Sequence, residues 1–139
     1  MKEFFVWNAA EYSLDIQQMD DEHQVLISKM NKLAARNEAG APRAELLTAL
    51  RDLGRYTVKH FDDEEAYLES IRYPKLATHR AIHRDLLRSL HEHIAAFERG
   101  NGTVSPECLG FLKLWLGAHI KGIDMQYARF SRQKEPSLV

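Results

Sequence analysis

Residues 60–83 read HFDDEEAYLESIRYPKLATHRAIH, and the fold is decided here. His60 and Glu64 stand four residues apart before Pro74, and His79 and His83 stand four apart after it. A four-residue interval stacks two side chains one turn apart on one face of an α-helix. Arg72-Tyr73-Pro74 makes a tight corner between the two pairs, because the residue before a proline is pushed out of the helical region. Two helices that double back on each other therefore bring a His/Glu pair and a His/His pair to the same level.

Outward from that corner the helical period continues. Towards the N-terminus the inward stripe runs through Tyr67, Glu64, His60, Thr57, Leu53, Leu50 and Leu46, and Pro42 suits the first turn of that helix. Towards the C-terminus it runs through Leu76, His79, His83, Leu86, Leu90, Ile94 and Phe97, as far as the Arg99-Gly100-Asn101-Gly102 break. A helix before this pair spans about Asp20 to Arg36, with Leu26, Met30, Leu33 and Ala34 on one stripe. A helix after it starts at the cap Ser105-Pro106 and runs to about Phe130 through Cys108, Leu112, Trp115 and His119. Short breaks between four long helices predict an all-α, up-down-up-down antiparallel four-helix bundle. Residues 1–19 lack a sustained period and are expected to form an N-terminal arm across the bundle, anchored by Trp7 and Leu14. Residues 131–139 are expected to be a frayed tail. The whole span 1–139 is expected to be one domain.

Composition narrows the function. The chain has 139 residues, 45% hydrophobic and 28% charged, which suits one soluble domain. A net charge of −1 with interspersed signs leaves no footprint for nucleic acid or an anionic membrane. The longest N-terminal apolar run, Phe4-Phe5-Val6-Trp7, is too short for a signal segment or a membrane span. A single cysteine, Cys108, excludes an internal disulfide and fits a reducing compartment, so a cytoplasmic location is expected.

Five of the seven histidines fall on inward stripes. One inward histidine is ordinarily a hydrogen-bonded core residue. Here the topology makes them converge. His23 lies near the start of the first long helix, His60 and Glu64 near the end of the second, His79 and His83 near the start of the third, and His119 and Asp124 near the end of the fourth. In an antiparallel bundle those four positions are one end. Five imidazoles and two carboxylates are too many donors for one tetrahedral zinc. They suit two metals with carboxylate bridges, and mixed imidazole/carboxylate ligation suits iron among several candidates.

His23 within Asp-Asp-Glu-His-Gln, His60-Phe61-x-x-Glu64-Glu65, Tyr73-Pro74 with His79-x3-His83, and Trp115-Leu116-x-x-His119-Ile120-x3-Asp124 resemble the hemerythrin pattern from about Trp7 to Phe130. The resemblance implies reversible dioxygen binding at a non-haem di-iron centre, for oxygen transport, storage or delivery. It implies that His79, His83 and His119 complete one iron, and that His23 and His60 hold the other and leave it an open position. Glu64 and Asp124 would bridge the pair, with an oxo or hydroxo group as third bridge and the irons cycling between Fe2+ and Fe3+. Dioxygen is then the ligand, an oxygen-consuming enzyme the expected recipient, and a monomer the expected state.

Bulky apolar residues beside the ligand positions, namely Leu26, Phe61, Trp115, Leu116 and Ile120, would form a dry oxygen pocket, although plain core packing explains them too. Oxidase-type di-iron bundles use four inward carboxylates and two Glu-x-x-His motifs; none of those motifs occurs here, which favours binding over enzymatic oxidation. The alternatives are an oxygen- or redox-sensing module and a di-iron peroxidase or nitric-oxide scavenger. Glu65 reads as a supporting or surface acid, Tyr127 as near the site or ordinary core, and His91 and His93 as boundary residues. One spacing conflicts with a regular helix. Five residues from His119 to Asp124 place them about 140° apart around the axis. A π-type widening between them, eased by Gly122, is therefore expected.

Overall fold

The computed structural model describes residues 3–134. After the short α1 (Ala9–Tyr12) come the long helices α2 (Gln17–Glu38), α3 (Arg43–Ser70) and α4 (Leu76–Arg99). The fourth long helix is built of α5 (Pro106–His119), a π-helical turn (Ile120–Asp124) and α6 (Met125–Lys134). Together the four form an up-down-up-down antiparallel bundle. Among the described residues no helix is long and apolar enough to cross a membrane.

The expected stripes line the core. Leu26, Met30 and Leu33 of α2, Leu46, Leu50 and Leu53 of α3, Leu90, Ile94 and Phe97 of α4, and Leu112 and Trp115 of α5 are all buried. The turns follow backbone chemistry. Gly40 takes φ 73°, and the Ala41 N–H bonds back to the Arg36 carbonyl at 2.9 Å, so α2 ends in a left-handed residue that glycine adopts without strain. At the proline corner Arg72 takes φ 56°, and the Tyr73 N–H reaches the Leu68 carbonyl at 3.0 Å. Ser105 caps α5 by accepting from the Cys108 N–H at 3.0 Å, with Pro106 next to it, as read from the sequence.

Three details depart from the expected boundaries. The first long helix begins at Gln17, a turn early, and its first turn places Met19 fully in the core. Asp20 ties the arm to that first turn, accepting from the Leu14 N–H at 2.8 Å and the Ser13 hydroxyl at 2.6 Å. Leu14 is a buried anchor, but Trp7 is only half-buried against Tyr12, and the deeper anchor is Phe5. Phe5 is clamped at its backbone by Asn31, which accepts its N–H at 2.7 Å and donates to its carbonyl at 2.9 Å. The expected fraying from Ser131 does not hold through Lys134, which is helical. Ser131 shares a 2.7 Å hydrogen bond with the Tyr67 hydroxyl, which gives that segment a tertiary hold. The rest of the expected tail, residues 135–139, lies outside the described residues.

Candidate metal centre

Each long helix delivers its share to one level. His23 comes from α2, His60 and Glu64 from α3, His79 and His83 from α4, and His119 and Asp124 from the two sides of the π turn. All seven side chains are buried. The π turn is what admits Asp124. The Met125 N–H reaches the Ile120 carbonyl, a five-residue hydrogen bond that adds one residue to the turn and rotates Asp124 inward. Gly122 does not ease this distortion: its φ lies outside the left-handed region, and a Cβ there would meet nothing within 4 Å. The widening brings Ile120 and Asp124 into the interior without drawing on glycine's backbone freedom.

Both carboxylates are shared. Glu64 Oε1 lies 2.8 Å from His79 Nε2 and 2.9 Å from His83 Nε2, while its Oε2 lies 3.5 Å from His60 Nε2 and 3.9 Å from His23 Nε2. Asp124 Oδ1 lies 3.0 Å from His119 Nε2 and 3.4 Å from His79 Nε2, while its Oδ2 lies 3.3 Å from His23 Nε2. Every inward nitrogen is an Nε2. The five rings thus divide into a group of three and a group of two, with one oxygen of each carboxylate turned to each group. Metal-sized clusters form on both sides, Glu64/His79/His83/His119 and His23/His60/Glu64, with Glu64 in both.

The hemerythrin HHE cation-binding domain family matches residues 14–130. The chain belongs to the hemerythrin family. It is 31% identical over 121 residues to a bacteriohemerythrin of Methylococcus capsulatus, covering 87% of this chain and 92% of that one. It is 32% identical over 123 residues to a myohemerythrin of Riftia pachyptila, covering 88% and 90%. A crystal structure of wild-type hemerythrin superposes with a TM-score of 0.82 at 30% identity, covering 90% of this chain and 95% of that one.

The hemerythrin family binds non-haem iron, and the donor set here fits such a group on its own chemistry. His23 Nε2, His119 Nε2 and both oxygens of Asp124 are buried without a hydrogen-bond partner among the described residues. His119 Nε2 and Asp124 Oδ1 are close enough to bond but not aligned to do so. A buried unpaired polar atom costs about 1–3 kcal/mol. A cation lying between lone pairs that face a common centre would remove that cost.

Electrostatics agree with this. Burial and the Asp124 charge push the Glu64 carboxyl up, yet the imidazoles around it outweigh them and hold it below the usual range. Burial likewise opposes ionisation of Asp124, and His119, His23 and His79 hold it well below its ordinary value. Burial lowers the His79 imidazole, but Asp124 and Glu64 raise it more, to about 9. Tyr127 is fully buried, and burial followed by the Glu64 and Asp124 charges drives its phenol well upward. It therefore stays neutral and donates to Glu64 Oε2 at 2.8 Å. Tyr127 belongs to the site as well as to the core.

Glu65 proves to be a supporting acid. It accepts from the His83 Nδ1–H at 2.8 Å and pairs with Arg80. Its counterpart on the other side, Glu22, was missed from the sequence. Glu22 accepts from the His60 Nδ1–H at 2.6 Å. It hides in the acidic run Asp20-Asp21-Glu22, which reads as an ordinary helix start. The available signal was its place three residues after Met19 and four before Leu26, on the buried stripe.

Phe61 stacks on the His83 ring at 3.7 Å with an interplanar angle of 2°, and Trp115 meets Phe61 edge-on at 5.9 Å. Leu26, Leu116 and Ile120 are buried in the same core. His91 is exposed and His93 packs on Phe111 at 4.8 Å, so neither joins the centre. Cys108 lies buried at the far end, where burial pushes its thiol up to about 11.

Proposed function

We propose that this chain binds dioxygen reversibly at a non-haem di-iron centre, as a carrier, store or donor of oxygen and not as an enzyme. One observation carries the reading: two buried carboxylates each turn one oxygen to a three-imidazole group and the other to a two-imidazole group. His79, His83 and His119 would hold one iron and His23 and His60 the other, with Glu64 and Asp124 shared. The first iron would thus have three imidazoles and the second two, which would leave the second iron one donor short of the first, with an oxo or hydroxo group as the expected further ligand. A pair of irons, when bound, supplies a reversible source of two electrons for dioxygen.

The protein's own part is placement and dryness. Tyr127 holds Glu64 in place, and Glu22 and Glu65 fix the outer nitrogens of His60 and His83 so that each Nε2 faces inward. Leu26, Phe61, Trp115, Leu116 and Ile120 would keep water from the centre, which protects a reversible reaction from proton leakage. The iron-loaded, reduced protein is expected to take up oxygen and release it unchanged under vacuum. Of the five histidine-to-alanine variants, His23→Ala and His60→Ala should weaken oxygen binding most per bound iron pair. Equal affinity in all five would remove the assignment of the open position.

A further inference from the structure

The two groups of imidazoles are each tethered from behind, and the tethers are unequal. On the three-imidazole side, the His83 Nδ1–H donates to Glu65 Oε2, and Arg80 Nε lies 3.2 Å from Glu65 Oε1. On the two-imidazole side, the His60 Nδ1–H donates to Glu22 Oε1 at 2.6 Å. Gln18 donates to Glu22 Oε2 at 3.1 Å, and Lys59 Nζ lies 3.7 Å from the same oxygen. The Glu22 side chain is 8% exposed and the Glu65 side chain 23%. A charge in drier surroundings acts more strongly on its neighbours. A carboxylate behind a ligand histidine fixes its tautomer and makes it a stronger donor.

We propose that Glu22 is a positioning residue that tunes the two-imidazole side of the centre: its buried carboxylate orients His60, strengthens it as a donor, and so favours oxidised iron there. This rests on the oxygen-binding reading for its consequence, since an iron that gives up electron density more readily holds oxygen more tightly. Lys59 moderates the effect. It is exposed, its Nζ donates to Asp63 at 2.7 Å and lies 3.7 Å from Glu22, and the share of its charge that Asp63 leaves offsets part of the Glu22 carboxylate's. The chain thus carries a surface cation, a buried carboxylate and a ligand imidazole in series, which lets a solvent-facing residue adjust the centre's potential.

The test uses the iron-loaded protein. Glu22→Gln keeps the shape and an oxygen that can accept from His60, but removes the charge. It is expected to retain two irons, to shift the midpoint potential upward in a redox titration, and to weaken oxygen binding about ten-fold. Glu65→Gln should shift the potential less. Lys59→Met, a change at an exposed side chain, should move the potential downward. An unchanged potential in Glu22→Gln overturns the proposal; where that variant holds no iron, an unchanged potential in Lys59→Met does so. Should the potentials shift as stated while the parent fails to release oxygen, the tuning role stands and the oxygen reading is the one that fails.

Discussion

The two ends of the bundle are built on the same four stripes and filled with opposite chemistry. At one end the stripes carry His23, His60, Glu64, His79, His83, His119 and Asp124. At the other they carry Leu33, Leu46, Leu50, Leu90, Phe97, Cys108 and Leu112, buried without a charge among them. Apolar burial stabilises by about 25 cal/mol per Å², so the far end contributes stability simply by closing. The metal end removes charged groups from water, which costs several kcal/mol per ion before partners compensate. One end keeps the helices together so that the other can hold groups that would otherwise drive them apart.

The sharpest way to break this division is at the residue both clusters share. Glu64→Ala should lower iron from two per chain to one or none, as metal analysis of the purified protein would show. Two irons retained would mean that the centre does not depend on the shared carboxylate.

At the far end, Leu50→Ala should cost about 2–5 kcal/mol of stability in urea denaturation, with the iron content of the folded fraction unchanged. Loss of iron in step with stability would show that the two ends are not separable.

A smaller effect is expected from pH on the iron-free chain. His79 is raised from 6.5 to about 9 and His60 is raised as well, so their stabilising contribution is complete below the unfolded value of 6.5. It is lost as pH climbs through the raised values. Glu64 and Asp124 are lowered, so their contribution is present above the ordinary carboxylate range and is lost only in strong acid. The urea midpoint of the iron-free chain should therefore fall between pH 6.5 and pH 9. The iron-loaded chain should fall less, because ligand nitrogens give up their protons to bind metal. Parallel profiles for the two forms would break the link between these protons and the site.

Smallest of all is Gly122→Ala. With open space at the Cβ and no left-handed φ, it should change stability by no more than about 1 kcal/mol, in the stabilising direction. A clear loss in thermal unfolding would show that the π turn does need glycine.

These contrasts explain how much could be read from the residues alone. The helices were legible because burial on one stripe imposes a period, and the convergence of the histidines followed from chain direction. The π turn was legible for an unusual reason: Asp124 is the only acid between Glu107 and Glu135, so a five-residue gap had to be accommodated by the backbone. Glu22 was overlooked despite its place on the buried stripe, because a helix read as starting near Asp20 puts this glutamate in the first turn, where the helix dipole favours an acid whether or not it touches a histidine. Phe5 was not legible either, since its hold depends on Asn31, 26 residues away, bonding its backbone.

The π turn also divides the fourth long helix into segments that need not melt together. Beyond it, α6 is held by buried Tyr127 and Ala128, by Phe130 edge-on against Tyr73 and by the Ser131–Tyr67 bond. A short docked segment opens locally at a lower free energy than the whole fold. Asp124 sits at that joint, and Tyr127 one turn beyond it, so a single opening would withdraw a shared carboxylate and release Glu64 from its phenol together. Amide hydrogen exchange in residues 125–134 should then keep time with the escape of iron to a chelator, while amides of α3 exchange far more slowly than the metal leaves. The residence time of the metal becomes a property of one backbone joint, set by how long ten residues stay docked.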